Sequence, residues 1–131
     1  MRASIPRSAE GARRRFDLGA GVVYARRVSS KPAPIDAEAA RRFVARHPAW
    51  SLRDGALHRR LRFSSYADGL GFAVALGLTA ERRDHHPELH VAWGSVGVVW
   101  STHDVGGLSE LDLELALETD RLAARHGAEG P

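Results

Sequence analysis

Apolar and polar residues alternate in two parts of the chain, and this alternation predicts two β-hairpins. The first hairpin has Asp54-Gly55 at its centre, a dipeptide that suits a two-residue type I′ turn. The second has Gly94-Ser95 at its centre, between strands in which large apolar residues recur at every second position. The four predicted strands cover residues 50–53, 56–63, 89–93 and 96–100.

Elsewhere, apolar residues three and four positions apart predict three amphipathic helices. They cover residues 36–47, 65 to about 84, and 109 to about 126. Asp36 and Ser65 are suitable N-cap residues for the first two helices, and Ser109 can cap the third with Asp112 at the capping-box position. A proline lies shortly beyond each of the first two helices, where helical structure is expected to end.

The order of these elements, α-β-β-α-β-β-α, predicts an α+β fold. In this fold a four-stranded antiparallel sheet carries three helices packed on one face. We expect the folded domain at residues 35–127, because Lys31-Pro32-Ala33-Pro34 has the composition of a linker. Residues 1–34 are then a basic, flexible extension, and residues 128–131 are a short tail.

The composition is typical of one globular domain. Of the 131 residues, 44% are hydrophobic and 27% are charged, without the long polar runs of a disordered protein. No stretch of about 18 apolar residues is present, so no membrane partner is expected. The absence of cysteine excludes disulfides, thiolate metal sites and a cysteine nucleophile.

Basic residues are concentrated in residues 1–34, and nearly all of them are arginine. Such a segment could bind nucleic acid or a membrane surface, or could act as an arginine-rich transit peptide. A solvated extension is the favoured interpretation, because a genome-wide preference for arginine explains the composition equally well. We therefore expect a cytoplasmic protein without a nucleic-acid partner, and import into an organelle is the alternative.

Three histidines lie near the open end of the second predicted hairpin. A two-residue Gly94-Ser95 turn places His103 opposite His86, with Cβ atoms about 4.5–5.5 Å apart, and His85 is the adjacent residue. The surrounding carboxylates are Glu81, Asp84, Asp104 and Asp112. A carboxylate beside an imidazole stabilises its charged form and fixes the tautomer. The cluster therefore predicts proton transfer close to neutral pH.

A metal site is the main alternative for this cluster, because imidazoles and carboxylates together bind zinc or iron. The spacing argues against it. His85 and His86 are consecutive and are expected to point in different directions, and no His-x-His or Glu-x-x-His motif presents two ligands on one face. The usual glycine-rich motifs of nucleotide-binding and serine-hydrolase sites are also missing. Neither a metal nor a cofactor is predicted.

The run Glu81-Arg-Arg-Asp-His85-His86-Pro87, followed by Trp93, His103 and Asp112, resembles the signature of the pterin-4a-carbinolamine dehydratases. Every spacing fits, and a signature that extends over residues 81–112 is far more specific than a short motif. The similarity extends over residues 36–126. Three flanking segments also resemble the family, namely Phe63-Ser-Ser-Tyr66, Ser101-Thr102-His103 and Gly107-Leu108-Ser109.

This resemblance implies dehydration of 4a-hydroxytetrahydropterin to quinonoid dihydropterin, which regenerates the pterin used by aromatic amino acid hydroxylases. It implies that His85 and His103 transfer protons, in roles that could be exchanged, and that His86 binds and orients the ring. Glu81 and Asp84 would tune the basicity of the imidazoles. The residues that match the pterin pocket of the family are Pro87, Thr102, Asp104 and Val105.

Two features depart from the family pattern. Asp104 stands where many relatives have glutamate, and the basic N-terminal extension has no counterpart in the family pattern. The role of Asp112 also stays open, because this residue could be no more than a helix cap. Family likeness and an open sheet edge favour a homodimer or homotetramer. Proteins that resemble this family also serve as transcriptional coactivators or as assembly factors for the carbon-fixing carboxylase, so a non-catalytic or second role stays open.

Overall fold

The computed structural model describes residues 31–130; most of the predicted basic extension and Pro131 lie outside this range. The described chain contains helices α1 (Ala37–Arg46), α2 (Tyr66–Arg82) and α3 (Glu110–Arg125). Its strands are β1 (Ser51–Arg53), β2 (Ala56–Arg62), β3 (Glu88–Ala92) and β4 (Ser95–Trp100), and a short 3₁₀ turn covers His103–Val105. None of the helices within residues 31–130 is long and apolar enough to cross a membrane.

The four strands form one antiparallel sheet in the order β1-β2-β4-β3, so the predicted α+β fold is confirmed. The helices cover the face that carries the apolar positions of each strand. The fully buried side chains at this interface are Leu57, Val96, Val98 and Trp100 from the sheet and Phe72, Leu76 and Leu115 from the helices. Each such side chain stabilises the fold by about 1.5–3 kcal/mol, so this single layer of contacts holds helices and sheet together.

The opposite face of the sheet is polar and is not covered by any element of residues 31–130. Its strands present exposed Arg60, Glu88 and His90, with His58 half-buried among them. The pairing of β2 with β4 and of β4 with β3 brings His58, Val99 and Glu88 into one row across the sheet. This row lies at the end of the sheet that leads to the 3₁₀ turn.

The first hairpin has the predicted turn. Asp54 and Gly55 take φ values of 51° and 70°, as the two central residues of a type I′ turn must. The segment predicted to be a linker, in contrast, partly belongs to the domain. Ala33 accepts a hydrogen bond from the N–H of Glu110, and Ile35 donates one to Leu108.

The second hairpin has a different register from the one predicted. Leu89 pairs with Val98 and Ala92 pairs with Ser95, so the turn is centred one residue earlier, on Trp93-Gly94. Gly94 adopts φ 72°, which only glycine takes readily, and the Trp93 side chain is 78% exposed at the tip. Each β3 residue therefore pairs two positions earlier in β4 than predicted. Because side chains alternate between the two faces of a sheet, a shift by two leaves the same side chains facing the core.

The predicted opposition of His86 and His103 is consequently wrong. β3 begins at Glu88 and β4 ends at Trp100, so neither histidine belongs to the ladder. His103 instead lies in the 3₁₀ turn that follows β4.

Replacement of Gly94 by alanine should lower the free energy of unfolding by about 1–2 kcal/mol, because a Cβ atom is strained at this positive φ. Gly77 is a matched control, since it lies in α2 and a Cβ there would meet no heavy atom within 4 Å. Gly77→Ala should be neutral or stabilising by up to about 1 kcal/mol. Urea unfolding of both variants measures the difference, and equal effects would contradict the observed register.

Candidate active site

The C-terminus of α2 fixes the positions of the paired histidines. The N–H of His85 donates to the carbonyl of Ala80 over 3.2 Å, and the N–H of Asp84 donates to Glu81 over 3.1 Å. These two bonds form a Schellman motif, in which Asp84 occupies the left-handed position with φ 48°. Beyond this motif the consecutive side chains of His85 and His86 contact different partners, Asp112 and Glu81, and so diverge as expected.

His85 turns inward and contacts a buried carboxylate. Its Nε2 lies 2.6 Å from Oδ1 of Asp112, at the start of α3, and the two side chains are 11% and 0% exposed. The other oxygen of Asp112 accepts the hydroxyl of Thr102 over 2.6 Å and the N–H of Ser109 over 2.9 Å. Asp112 is therefore both the predicted capping-box residue and the partner of a histidine.

These contacts decide the charge of Asp112. Burial alone would raise the pKa of this carboxyl group, but the hydrogen bonds from His85, Thr102 and Ser109 hold its pKa below the ordinary value. An ionised carboxylate can only accept hydrogen bonds. The network thus assigns the proton of neutral His85 to Nε2 and leaves a lone pair on Nδ1, which has no hydrogen-bond partner within residues 31–130.

His86 turns outward. Its Nε2 lies 2.8 Å from Oε2 of Glu81, and both side chains are exposed. Glu81 lies one helical turn before His85 in the sequence, but in the structure it contacts His86 instead. Asp84, also expected to tune an imidazole, makes no side-chain hydrogen bond to either histidine in the described part of the chain. Its observed role is in the backbone of the helix terminus.

His103 stands on a loop that is closed at its base. Thr102 and Gly107 pair through two backbone hydrogen bonds, and the 3₁₀ turn between them carries His103 and Asp104 exposed, with Val105 half-buried. Thr102, which precedes His103, donates its hydroxyl to Asp112. The loop that carries His103 is therefore anchored directly to the partner of His85.

A concavity of about 440 Å³ lies beside this loop at the end of the open sheet face. Thr102 and His103 line it together with His58 and Glu88 from the strands. Neither His58 nor Glu88 was among the site residues predicted from the sequence. His58 and Glu88 could have been predicted from their place in one row with Val99 across the sheet. That row can be recognised only when the register of the strand pairs β2–β4 and β4–β3 is known.

The arrangement suits proton transfer. His85 is held by an ionised carboxylate, and His103 stands exposed at the concavity one residue beyond the anchored Thr102. Among the described residues, no three His, Asp or Glu side chains are placed to hold a single metal ion. Pro87 is half-buried after His86, at the start of the segment that leads into β3.

Comparisons with known proteins agree on one family. The family described as "Pterin 4 alpha carbinolamine dehydratase" matches residues 33–122. A provisionally named pterin-4-alpha-carbinolamine dehydratase of Bradyrhizobium sp. strain BTAi1 is 41% identical over 92 residues, which are 69% of this chain and 93% of that protein. A relative of the same provisional name from Methylococcus capsulatus strain Bath is 38% identical over 93 residues, covering 70% of this chain and 82% of its own length.

A solved structure has the same fold. The crystal structure of a transcriptional coactivator/pterin dehydratase from Brucella melitensis superposes with a TM-score of 0.64 at 28% identity, covering 68% of this chain and 97% of that one. The profile match spans well over half of the chain and includes all three histidines and Asp112. The chain belongs to the pterin-4-alpha-carbinolamine dehydratase family.

Proposed function

We propose that this protein dehydrates 4a-hydroxytetrahydropterins to quinonoid dihydropterins, with His85 and His103 as the groups that transfer protons. The observation that carries the proposal is the 2.6 Å contact between His85 and the buried, ionised Asp112. Membership of the family supports the substrate class. The product is quinonoid dihydropterin, and the reaction serves to regenerate the pterin used by aromatic amino acid hydroxylases.

The reaction requires one proton donor and one proton acceptor. The C4a–O bond breaks, and the hydroxyl group leaves with an added proton as water. A ring nitrogen of the pterin loses its proton, and the electron pair of that N–H bond forms the new double bond to C4a. The sum is loss of one water molecule without oxidation or reduction, so side chains alone can supply the chemistry.

His85 is the acceptor in this scheme. Its Nε2–H donates a hydrogen bond to Asp112, so the lone pair on Nδ1 takes the proton from the pterin. The carboxylate then stabilises the imidazolium, as the aspartate of a serine-hydrolase triad does. His103 is the donor to the departing hydroxyl group, because its imidazole is exposed at the concavity. No side chain within residues 31–130 forms a hydrogen bond with its ring nitrogens.

The remaining site residues bind and orient the ring. In this scheme His86, whose imidazole contacts Glu81, binds the ring. Pro87, Asp104 and Val105 do not line the concavity described above, and the resemblance to the family is what assigns them to the pterin pocket. The hydroxyl of Thr102 already donates a hydrogen bond to Asp112. Thr102 therefore contributes by connecting the loop that carries His103 to the His85–Asp112 pair.

Stopped-flow decay of 4a-hydroxytetrahydropterin tests the activity. The full chain should accelerate the decay above the buffer rate, with quinonoid dihydropterin as the product, and EDTA should leave the rate unchanged. Decay at the buffer rate would contradict the dehydratase function. Loss of turnover with EDTA, restored by a divalent metal, would contradict catalysis by histidines alone.

Self-association through the outward face of α2 is also part of the proposal. Residues 69–80 of this helix contain no charged side chain. The outward apolar residues recur every fourth position and are 42–59% exposed; they are Tyr66, Leu70, Val74 and Leu78. A helix that is apolar on all sides is normally buried on all sides. Antiparallel pairing about a twofold axis at Val74 brings Leu70 of one copy to Leu78 of the other.

The double variant Val74→Glu/Leu78→Glu should therefore be monomeric, because like charges would meet in the apolar contact. Light scattering after size-exclusion chromatography measures the mass. Arg121→Glu, a charge change on the exposed side of α3, is the control and should leave the mass of the parent oligomer unchanged. A parent that is monomeric at micromolar concentration would contradict self-association.

A further inference from the structure

The ring of His85 lies flat against the indole of Trp100. Their centroids are 5.5 Å apart, and the angle between the two planes is 9°. Trp100 is the last residue of β4 and is completely buried. The histidine therefore has a rigid aromatic surface on one side of its ring, in addition to the carboxylate at its edge.

Trp100 is itself fixed by a hydrogen bond. Its Nε1 donates to Oγ1 of Thr119 over 3.0 Å, and Thr119 in turn donates to the carbonyl of Leu115 over 2.7 Å. Thr119 is fully buried, so both hydroxyl contacts are sheltered from water. A buried indole whose N–H is satisfied in this way resists rotation, because any other orientation would leave that N–H unpaired.

One helix carries both constraints on His85. Asp112 and Thr119 are seven residues apart in α3, which is about two helical turns or 10 Å along one face. Asp112 fixes the direction of Nε2, but a single hydrogen bond leaves the ring free to rotate about its own axis. The stacked indole fixes the plane of the ring. The two constraints together decide where Nδ1 points.

We propose that Trp100, held by Thr119, is a positioning residue for His85, and that its indole face stabilises the imidazolium formed when His85 accepts a proton. This inference rests on the proposed function of His85 as the proton acceptor. A cation parallel to an indole face and shielded from water gains a favourable cation–π contact. The contact is stronger after proton transfer than before it, so it accelerates the chemical step rather than binding.

Trp100→Leu and Trp100→Phe separate this role from simple packing. Leucine removes the aromatic face and should lower kcat about three- to thirtyfold with little change in KM, the range expected for loss of a sheltered cation–π contact. Phenylalanine keeps a flat aromatic face and should restore most of the lost kcat. Phe72→Leu is the control, because Phe72 is an equally buried aromatic residue of the same core without contact to His85, and it should leave kcat unchanged.

Thr119→Val provides a second test that hardly alters the volume of the core. It removes the acceptor of the indole N–H and should lower kcat less than Trp100→Leu does. This variant keeps the proposal testable if Trp100→Leu does not fold. An unchanged kcat in both folded variants, or equal losses for leucine and phenylalanine at position 100, would overturn the positioning role.

A readout independent of turnover separates failure of this inference from failure of the dehydratase function. In protein with ¹⁵N-labelled histidine, His85 should show a protonated Nε2 and an unprotonated Nδ1, assigned by comparison with His85→Ala. Trp100→Leu should broaden or shift these signals, and Phe72→Leu should not. Identical His85 signals in the parent and in folded Trp100→Leu would overturn the inference even if the parent is fully active.

Discussion

Replacement of His85 by alanine should lower kcat for dehydration of 4a-hydroxytetrahydropterin by about 10²–10⁴-fold, the contribution expected from a positioned general base. The imidazole is the group that takes the pterin proton in our proposal, and water would have to replace it. The side chain is only 11% exposed and contacts the buried Asp112, so the rate is compared for His85→Ala protein whose folding has been verified by urea unfolding. Stopped-flow turnover with saturating substrate measures the change.

Two other histidines serve as references for this experiment. His90→Ala removes an exposed imidazole from the open face of the sheet and should leave kcat unchanged. His86→Ala should raise KM more than it lowers kcat, because His86 is assigned to binding and its only side-chain hydrogen bond in the described residues is to the exposed Glu81. Equal kcat values for the parent and His85→Ala would exclude His85 as the base.

Asp112→Asn should also cause a large loss of turnover, about 10²–10⁴-fold, although this residue does not touch the substrate. The asparagine side chain has nearly the same shape, but its amide can donate to Nε2 of His85. The proton of neutral His85 would then move to Nδ1, and the lone pair needed for catalysis would be lost. The same stopped-flow assay measures the rate. Glu110→Gln, an exposed change in the same helical turn, should have no effect.

The Asp112→Asn variant should also differ in its stability against acid. The pKa of Asp112 is lowered in the folded state from its ordinary value of 3.8, so its ionisation stabilises the protein above that value. This stabilisation is lost as the pH falls through the lower folded pKa. Urea unfolding should show that the asparagine variant is less stable than the parent by about 1–3 kcal/mol at pH 7 and that the difference shrinks below about pH 4. A constant difference down to pH 2 would contradict the assigned charge of Asp112.

Local sequence signals predicted most of the fold. Asp54-Gly55, Ser65 and the Ser109–Asp112 capping box each specify a turn or helix terminus within a few residues, and each lies where expected. The second turn was misplaced because Trp93 was expected in the strand. In the structure Gly94 is the second of the two central turn residues, whereas the prediction made it the first. This choice depends on backbone angles that the alternation of apolar residues does not reveal.

The sequence grouped the candidate site residues but did not predict the contacts that they make. The spacing of His85, His86, His103 and Asp112 predicted that these residues belong to one site. The pairing of His85 with Asp112 joins residues 27 positions apart and depends on how α3 packs against the end of α2. The stacking of Trp100 on His85 follows from the same packing. Such tertiary contacts leave no periodic signal in the sequence.

The central claim is that His85 and Asp112 act as one proton-transfer unit, and the turnover rate of the double variant His85→Ala/Asp112→Asn tests it most directly. Asp112 acts on the reaction only through His85, so its replacement should cost nothing further once His85 is gone. The double variant should therefore turn over 4a-hydroxytetrahydropterin as fast as folded His85→Ala alone. A double variant whose rate loss is the product of the two single losses would contradict the claim.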